Sequence, residues 1–384
     1  MLQTVLENIG KNLFNPLLLF FFTGFLIPLL KVEFEFPKAL YQSLTIVLLL
    51  GIGWHGGEEL SKLPFDSALI FIAAFMALGF VMNSLVGTFV YYWIRLFSNV
   101  KKIDAAAIAG HYGSTSAGTF VTALGFLNFL KVATAPYMPV LLAVMEIPGC
   151  IVALFLASRL RHFGLDSQGR MPGEPDYVPP STVSSEEEIP AMDISLMPSD
   201  QGFNKRQKKR FIDGHLLHEV FLNPGTFLLF AGVIIGLLSG LQGVKVTEPV
   251  DHLFNFEFQP ILCLFLMEMG TTACRRIKDL KAAGPGFVAF GIITPNLLAA
   301  VSLFVLYGFV KLTGMEIELG TYLLFMVLCA SASYIAVPAL QRMAIPEASP
   351  TLPLAAALGL TFTYNVTVGI PLYFELVKLV VGTS

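Results

Sequence analysis

Long apolar runs alternate with short polar segments along almost the whole chain. A transmembrane helix needs about 20 predominantly apolar residues. The third and eighth apolar runs are longer than a straight membrane crossing requires, so we expect these helices to tilt or to extend into water. The pattern predicts an all-α polytopic membrane protein with ten transmembrane helices, at about 13–31, 38–56, 67–97, 104–127, 135–158, 219–241, 255–272, 283–313, 317–341 and 351–380.

One segment in the middle of the chain breaks this pattern. Residues 159–215 are rich in Pro, Ser and charged side chains and cannot bury an apolar core. We therefore expect a mostly disordered linker there. It divides the chain into a first five-helix repeat (1–158) and a second five-helix repeat (216–384).

The two predicted repeats resemble each other. Each opens with Asn-Pro at the head of an apolar run, and Gly53 precedes Ser114 by the same interval as Gly270 precedes Ser331. Because five spans is an odd number, the second repeat would enter the membrane from the opposite side. Inverted repeats with interrupted helices are typical of secondary transporters.

Polar clusters interrupt the fourth and ninth spans, at "AGHYGSTSAGTFVTALGF" (109–126) and "VLCASASYIAVPALQ" (327–341). Gly and Ser weaken a helix, and unwound backbone is tolerated only where protein or water covers it. Two broken helices that meet there would present helix N-termini to an anion and free oxygens to a cation. The candidate anion-binding residues are Gly110, Gly113, Ser114, Thr115, Ser116, Thr119, Ser331 and Ser333.

Glu146, Glu268 and His111 are ionisable residues within predicted spans, where charge is costly and usually functional. Glu146 and Glu268 are candidates for cation binding or coupling, or for satisfying a neighbouring helix break. An imidazole ordinarily titrates near neutral pH, so His111 would serve either proton coupling or a satisfied polar pocket. His55 lies near a predicted outer mouth.

Composition supports the membrane prediction. Hydrophobic residues are 55% and charged residues 13% of the chain, whereas soluble domains carry about 25% charge. The net charge of −3 gives no indication of nucleic acid, and the four cysteines form no CxxC pair that would indicate zinc. We expect no cofactor.

Loop charges indicate the orientation, because cytoplasmic loops are enriched in Lys and Arg. With the long linker in the cytoplasm, both termini lie outside. The basic stretch "KRQKKR" before the sixth span would then face the inner leaflet, either against anionic lipid or a regulatory partner. Of the 24 Lys and Arg residues, the outside receives only Lys11, Lys62, Lys131, Lys245, Lys311 and Lys378.

Several motifs resemble, in order and spacing, those of the cyanobacterial-type sodium-dependent bicarbonate transporters: "GIGWHGGEEL", "GHYGSTSAGTFVTAL", "MEIPG", "MGTTACRRIKDLK", "CASASYIAVPALQRMAIPEASP" and "GIPLYFEL". The resemblance covers nearly the whole chain. It implies a 5+5 inverted repeat with two broken helices, and a core domain that moves past a scaffold in elevator fashion. It also implies a homotrimer in the plasma (inner) membrane, bicarbonate and sodium as substrates, and a cytoplasmic PII-like regulator.

The resemblance carries over residue by residue. Gly110, Gly113, Ser116 and Thr119 match the first-half site, and Ser331 and Ser333 the second. Tyr334 stands where that family has Asp, and Thr271 or Thr272 where it has an acid, so Glu268, one turn away, would supply the missing carboxylate. The residues implied for cation binding or coupling are Gly270, Thr271, Thr272, Ser331, Ser333, Glu146 and Glu268.

The leading hypothesis is a secondary active transporter that imports a small anion, bicarbonate foremost, together with sodium. A proton- or sodium-coupled carrier of another small organic anion is the alternative within that class. A non-transporting receptor or scaffold is a second alternative. We do not expect an enzyme, because Ser114 and His111 have no orienting acid nearby in the sequence.

Overall fold

The computed structural model describes residues 14–62, 68–179, 224–277, 284–334, 337–338, 341 and 344–382. Within these ranges all regular secondary structure is helical. Five of the described helices are long and apolar enough to cross a membrane, which confirms the all-α, polytopic prediction: Lys38–Ser61, Ile70–Phe97, Met138–His162, Gly284–Thr313 and Leu352–Val381. The ten-span count and the inverted repeat stay predictions.

We number the helices in chain order. They are α1 (Pro16–Leu29), α2 (Lys38–Ser61), α3 (Ala68–Phe97), α4 (Lys102–Tyr112), α5 (Ala117–Phe129), α6 (Met138–His162), α7 (Pro224–Gly240), α8 (Val244–Asp251), α9 (Phe258–Ile277), α10 (Gly284–Thr313), α11 (Leu319–Ala330) and α12 (Leu352–Val381). Helix α12 widens into π-helical turns over Ala355–Phe362 and Asn365–Gly369.

The Asn-Pro signal marks a helix start, as the sequence predicts. The Asn15 side chain accepts a hydrogen bond from the backbone N–H of Leu17 (3.1 Å), and Pro16 occupies the first helical position. Proline is well suited there because the N–H that it lacks has no partner within the helix. Helix α7 likewise begins at Pro224.

Two helix pairs cross on glycines. Helix α2 packs along α7, and α1 packs along α9. A Cβ on Gly53 would lie 2.3 Å from the Leu229 carbonyl oxygen, and a Cβ on Gly270 would lie 2.0 Å from that of Phe21. Only glycine permits so close a backbone approach. The first helix of each predicted repeat therefore packs on the second helix of the other.

The interrupted spans lie in the interior of a second group of helices. Helix α4 packs on α3 and α6, and α11 packs on α10, α12 and α5. Every residue from Ile103 to Tyr112 is buried, as is every residue from Gly320 to Ala330. Protein therefore surrounds the non-helical backbone that follows these two helices, as the absence of water in a bilayer requires.

The C-terminal end of α6 continues into ordered turns. The Asp166 carboxylate accepts hydrogen bonds from the backbone N–H groups of Gln168, Arg170 and Val178. Glu174 accepts one from the backbone N–H of Lys102, in the first turn of α4 (3.3 Å). The described structure thus continues from the predicted boundary at 158 to residue 179. The remainder of the predicted linker, including "KRQKKR", lies outside the described residues.

Candidate functional site

The fourth predicted span is broken, as its polar cluster predicts. Helix α4 ends at Tyr112 with Gly113 as its C-cap, and α5 begins at Ala117. Ser116 is the N-cap of α5, and its hydroxyl oxygen accepts hydrogen bonds from the Thr119 backbone N–H (3.1 Å) and the Thr119 hydroxyl (2.9 Å). The break thus exposes a half-helix N-terminus inside the protein.

The ninth predicted span is interrupted in the same way. Helix α11 ends at Ala330, and Ser331 is extended (φ −95°, ψ 171°). The Ser331 hydroxyl donates to the Leu328 carbonyl (3.2 Å), and the Asn365 side-chain amide donates to the Ala330 carbonyl (2.9 Å). Tyr373 holds Asn365 in place through a hydroxyl hydrogen bond to its Oδ1 (2.9 Å). Side chains therefore satisfy carbonyls that the helix end leaves without a helical partner.

The two breaks meet. The backbone N–H of Ser116 donates to the Ser331 hydroxyl oxygen (3.0 Å), and the backbone N–H of Ser333 donates to the His111 carbonyl (2.7 Å). Residues separated by more than 200 positions in the chain thus form one continuous buried cluster. The structure places side by side the two polar stretches that the sequence predicts to face one another.

Two of the predicted anion ligands are turned toward helix α6. The Ser114 hydroxyl donates to the Glu146 carbonyl (2.8 Å), and the Thr115 hydroxyl donates to the Leu142 carbonyl (3.3 Å). These hydroxyl protons hold the break against α6. Glu146 therefore contacts the break through its backbone carbonyl. Its side chain is also buried, at 8% exposure.

The glycines of the first break provide close packing. A Cβ on Gly110 would lie 2.7 Å from the Ala153 Cβ, and one on Gly113 would lie 2.9 Å from the Gly87 Cα. Gly149 of α6 approaches still closer, because a Cβ there would lie 2.2 Å from the Gly110 carbonyl oxygen. We attribute the glycines at the end of α4 and in α6 to the need for this close backbone contact.

The residues implied for the cation lie on helix α9. The Thr271 hydroxyl donates to the Gly24 carbonyl of α1 (3.0 Å), beside the contact between Gly270 and the same helix. The Thr272 hydroxyl donates to the Glu268 carboxylate (2.8 Å), which is half-buried and lies near Tyr41. Gly270 and Thr271 therefore face α1, whereas Glu268 is directed to the Tyr41 side.

His111 links the two broken spans. Its ring Nδ1 lies 2.6 Å from the Ser333 carbonyl oxygen, and its Nε2 lies 3.2 Å from Gln341 Oε1. Gln341 in turn donates to the Ser349 carbonyl (2.9 Å), and the Ser349 N–H donates to Asp104 (2.7 Å). The chain of contacts runs from the cluster to the start of α4. The His111 ring nitrogens and the Ser114 hydroxyl thus contact groups other than each other.

Sequence patterns do not reveal the roles of Asn365 and Gln341 or the position of the Tyr334 hydroxyl. That hydroxyl points at the first turn of α5, where a Cβ on Gly118 would lie 1.9 Å from it. An isolated Asn in the apolar run that ends the chain is the signal that could have drawn attention to Asn365, since polar groups at membrane depth are usually functional.

A cavity of about 440 Å³ lies between α2, α5 and α6. Phe120, one turn after Ser116, lines it together with His55 and Glu59 of α2. The cavity thus reaches from the predicted outer mouth to the helix that begins at the first break. It offers polar groups at its mouth and an apolar wall beside the cluster.

Comparison with protein families gives one match. The model of the Na+-dependent bicarbonate transporter superfamily matches residues 16–378, nearly the whole chain. A search of curated proteins finds no match. The family match covers both broken spans and every helix described above. The chain therefore belongs to the Na+-dependent bicarbonate transporter superfamily.

Proposed function

We propose that the protein is a secondary transporter that imports bicarbonate together with sodium. The observation that carries the proposal is the hydrogen bond from the Ser116 N–H to Ser331, which joins the two broken spans at the N-terminus of α5. A half-helix N-terminus favours negative charge through its dipole and its N–H groups. The described parts of the two clusters contain no Lys or Arg, so an anion would be held weakly and released readily.

Sodium would bind at hydroxyl and carbonyl oxygens, which are hard ligands. The cluster supplies the Ser331 and Ser333 oxygens, and α9 supplies the Glu268 carboxylate and the Thr272 hydroxyl. A half-buried carboxylate near Tyr41 would bind sodium. We therefore assign coupling to Glu268 in preference to Gly270 and Thr271, which face α1.

The packing of the helices supports an elevator-type movement. Helices α1, α2, α7 and α9 form one group joined by glycine contacts, and the broken spans belong to the other. We propose that the first group is the scaffold and the second the moving core. The homotrimer, the plasma-membrane location with both termini outside, and a PII-like regulator acting on the cytoplasmic linker belong to the same proposal.

A proton-coupled carrier is the second candidate, because the contacts of His111 favour it. Its two ring nitrogens face two oxygen acceptors, the Ser333 carbonyl and Gln341 Oε1. The amide orientation of Gln341 is set by its bond to Ser349. A neutral imidazole can donate to only one of these oxygens, whereas an imidazolium donates to both.

Uptake of ¹⁴C-bicarbonate into proteoliposomes tests the proposal. Short time points at alkaline pH limit the leak of CO₂, and an inward sodium gradient is compared with choline and with an inward proton gradient. We expect sodium-driven uptake that falls in Ser116→Ala and Ser333→Ala at unchanged yields of folded protein. Ser84→Ala, a serine of α3 bonded within its own helix, is the matched control.

Each outcome bears on a different part of the proposal. Uptake unchanged in both site variants would remove the site assignment. Uptake that is driven by protons and does not depend on sodium would show that the coupling ion is the proton. Binding of bicarbonate without flux would favour the receptor alternative.

A further inference from the structure

Tyr334 carries a buried hydroxyl without a hydrogen bond. The residue is 8% exposed, and its ring packs edge-on against Phe362 with ring centroids 5.3 Å apart. Among the described residues, its hydroxyl is one of two buried side-chain polar atoms that lack a partner. Leaving such a group unsatisfied costs about 1–3 kcal/mol. A group that is retained at this cost at a break between helices calls for a functional explanation.

The hydroxyl is aimed at the N-terminus of helix α5. It lies beside Gly118, where an added Cβ would come within 1.9 Å of it, and close to the Ser116 side chain without hydrogen-bond geometry. Helix α5 has 13 residues, long enough to place a partial positive charge at this end. The Tyr334 O–H therefore lies beside the position that an anion at the α5 N-terminus would take.

Four other hydroxyls around the breaks already donate to protein acceptors. Ser114 and Thr115 donate to carbonyls of α6, Thr119 donates to Ser116, and Ser331 donates to a carbonyl of α11. These protons are committed to holding the two breaks in place. The Ser116 hydroxyl oxygen accepts two hydrogen bonds, whereas the buried Tyr334 hydroxyl has no partner among the described residues, so its proton is left for a ligand.

We propose that Tyr334 is a substrate-binding residue that donates its O–H to an oxygen of a small oxyanion held at the α5 N-terminus. The inference rests on the proposed function, because bicarbonate is the oxyanion expected there. A phenol donates without adding charge, so it strengthens binding of a monoanion while leaving release fast. It thereby sets the affinity of a site that has no Lys or Arg in its described part.

The test is Tyr334→Phe, which removes one oxygen and keeps the ring. In the substrate-free protein we expect the melting temperature to stay level or rise, because an unsatisfied buried hydroxyl is lost. The KM for ¹⁴C-bicarbonate should rise about tenfold, as expected for a lost hydrogen bond to a charged group. The rise in melting temperature that bicarbonate produces should be smaller in this variant than in the wild-type protein.

Tyr364→Phe is the matched control. The Tyr364 hydroxyl donates to Asn296 (2.9 Å), so its loss removes a structural hydrogen bond. We expect this variant to melt at a lower temperature with KM unchanged. Tyr334→Phe should thus change KM without lowering the melting temperature, and Tyr364→Phe should do the reverse. A merely structural role for Tyr334 would give both variants the same behaviour.

Two results would overturn the proposal: an unchanged KM in Tyr334→Phe, or a lower melting temperature without substrate, which would show a structural hydrogen bond. Failure of the proposed function is distinguishable, because the wild-type protein would then show no bicarbonate uptake. In that case bicarbonate, nitrate and formate are compared for stabilisation against heating. Stabilisation by one of them that is lost in Tyr334→Phe supports Tyr334 as the ligand, and stabilisation equal in both proteins refutes it.

Discussion

Gly149 allows helix α6 to rest directly on the first break. A Cβ at this position would lie 2.2 Å from the Gly110 carbonyl oxygen and 2.5 Å from both the Gly113 carbonyl carbon and the Ser114 nitrogen. Ordinary contacts of a Cβ begin at 3.4 Å. All three atoms are backbone, so no side-chain rotation can relieve the overlap. Gly149→Ala must therefore push α6 and the break apart by about 1 Å.

The cost follows from two opposing effects. Overpacking in a tight interior costs about 1–3 kcal/mol, and contact with backbone argues for the upper end of that range. Alanine in a helix interior is favoured over glycine by about 0.5–1 kcal/mol. We expect a net loss of stability of about 2 kcal/mol. The displaced peptide between Gly113 and Ser114 should reduce transport at least about tenfold, because misplacement by about 1 Å is costly at a binding site.

Thermal denaturation in detergent, followed by size-exclusion chromatography, measures the first effect, and uptake into proteoliposomes measures the second. The control is Gly308→Ala in helix α10, where an added Cβ would meet no atom within 4 Å. That variant should be as stable as the wild-type protein or slightly more so, with normal uptake. If Gly149→Ala matches it in both measurements, the close approach of α6 to the break is wrong.

Two other substitutions address coupling and the turns that follow α6. Glu268→Gln removes the charge beside the Thr272 hydroxyl and should raise the sodium concentration for half-maximal uptake several-fold; an unchanged sodium dependence would exclude Glu268 from coupling. Burial raises the pKa of Asp166, but the backbone N–H groups of Arg170, Val178 and Gln168 outweigh this and hold it below the usual 3.8. A lowered pKa stabilises the folded turns above pH 3.8 and the benefit is lost as the pH falls through the folded value. Pepsin should therefore cut the wild-type segment 163–178 progressively faster as the pH falls below 3.8, whereas Asp166→Asn should already be cut at pH 4; equal resistance of both proteins at pH 4 would contradict this.

The locations of the breaks could be predicted from the sequence, because Gly, Ser and Thr seldom cluster at membrane depth without a reason. The directions of the side chains within them could not. Helical periodicity gives no orientation for four residues of irregular backbone, so nothing in the sequence distinguishes Ser114, bonded to α6, from Ser116, which caps α5.

Glycine shows a second limit of the sequence. The same absent Cβ permits an unwound turn and a close helix crossing, so local sequence does not separate the two. Gly113 stands at a break, whereas Gly270 lies in an intact helix against α1. The partner of each glycine, and hence its role, depends on helices distant in the chain.

The contacts at Gly53 and Gly270 limit how this protein can change shape. Each places the backbone of one helix directly on a carbonyl of another. At the glycine of such a seam no side chain lies between the two backbones, so one helix cannot slide past the other there and the two either stay together or separate. Large displacements must therefore use the surfaces where bulky side chains meet, and the two seams should travel as rigid units through every conformation that the protein adopts.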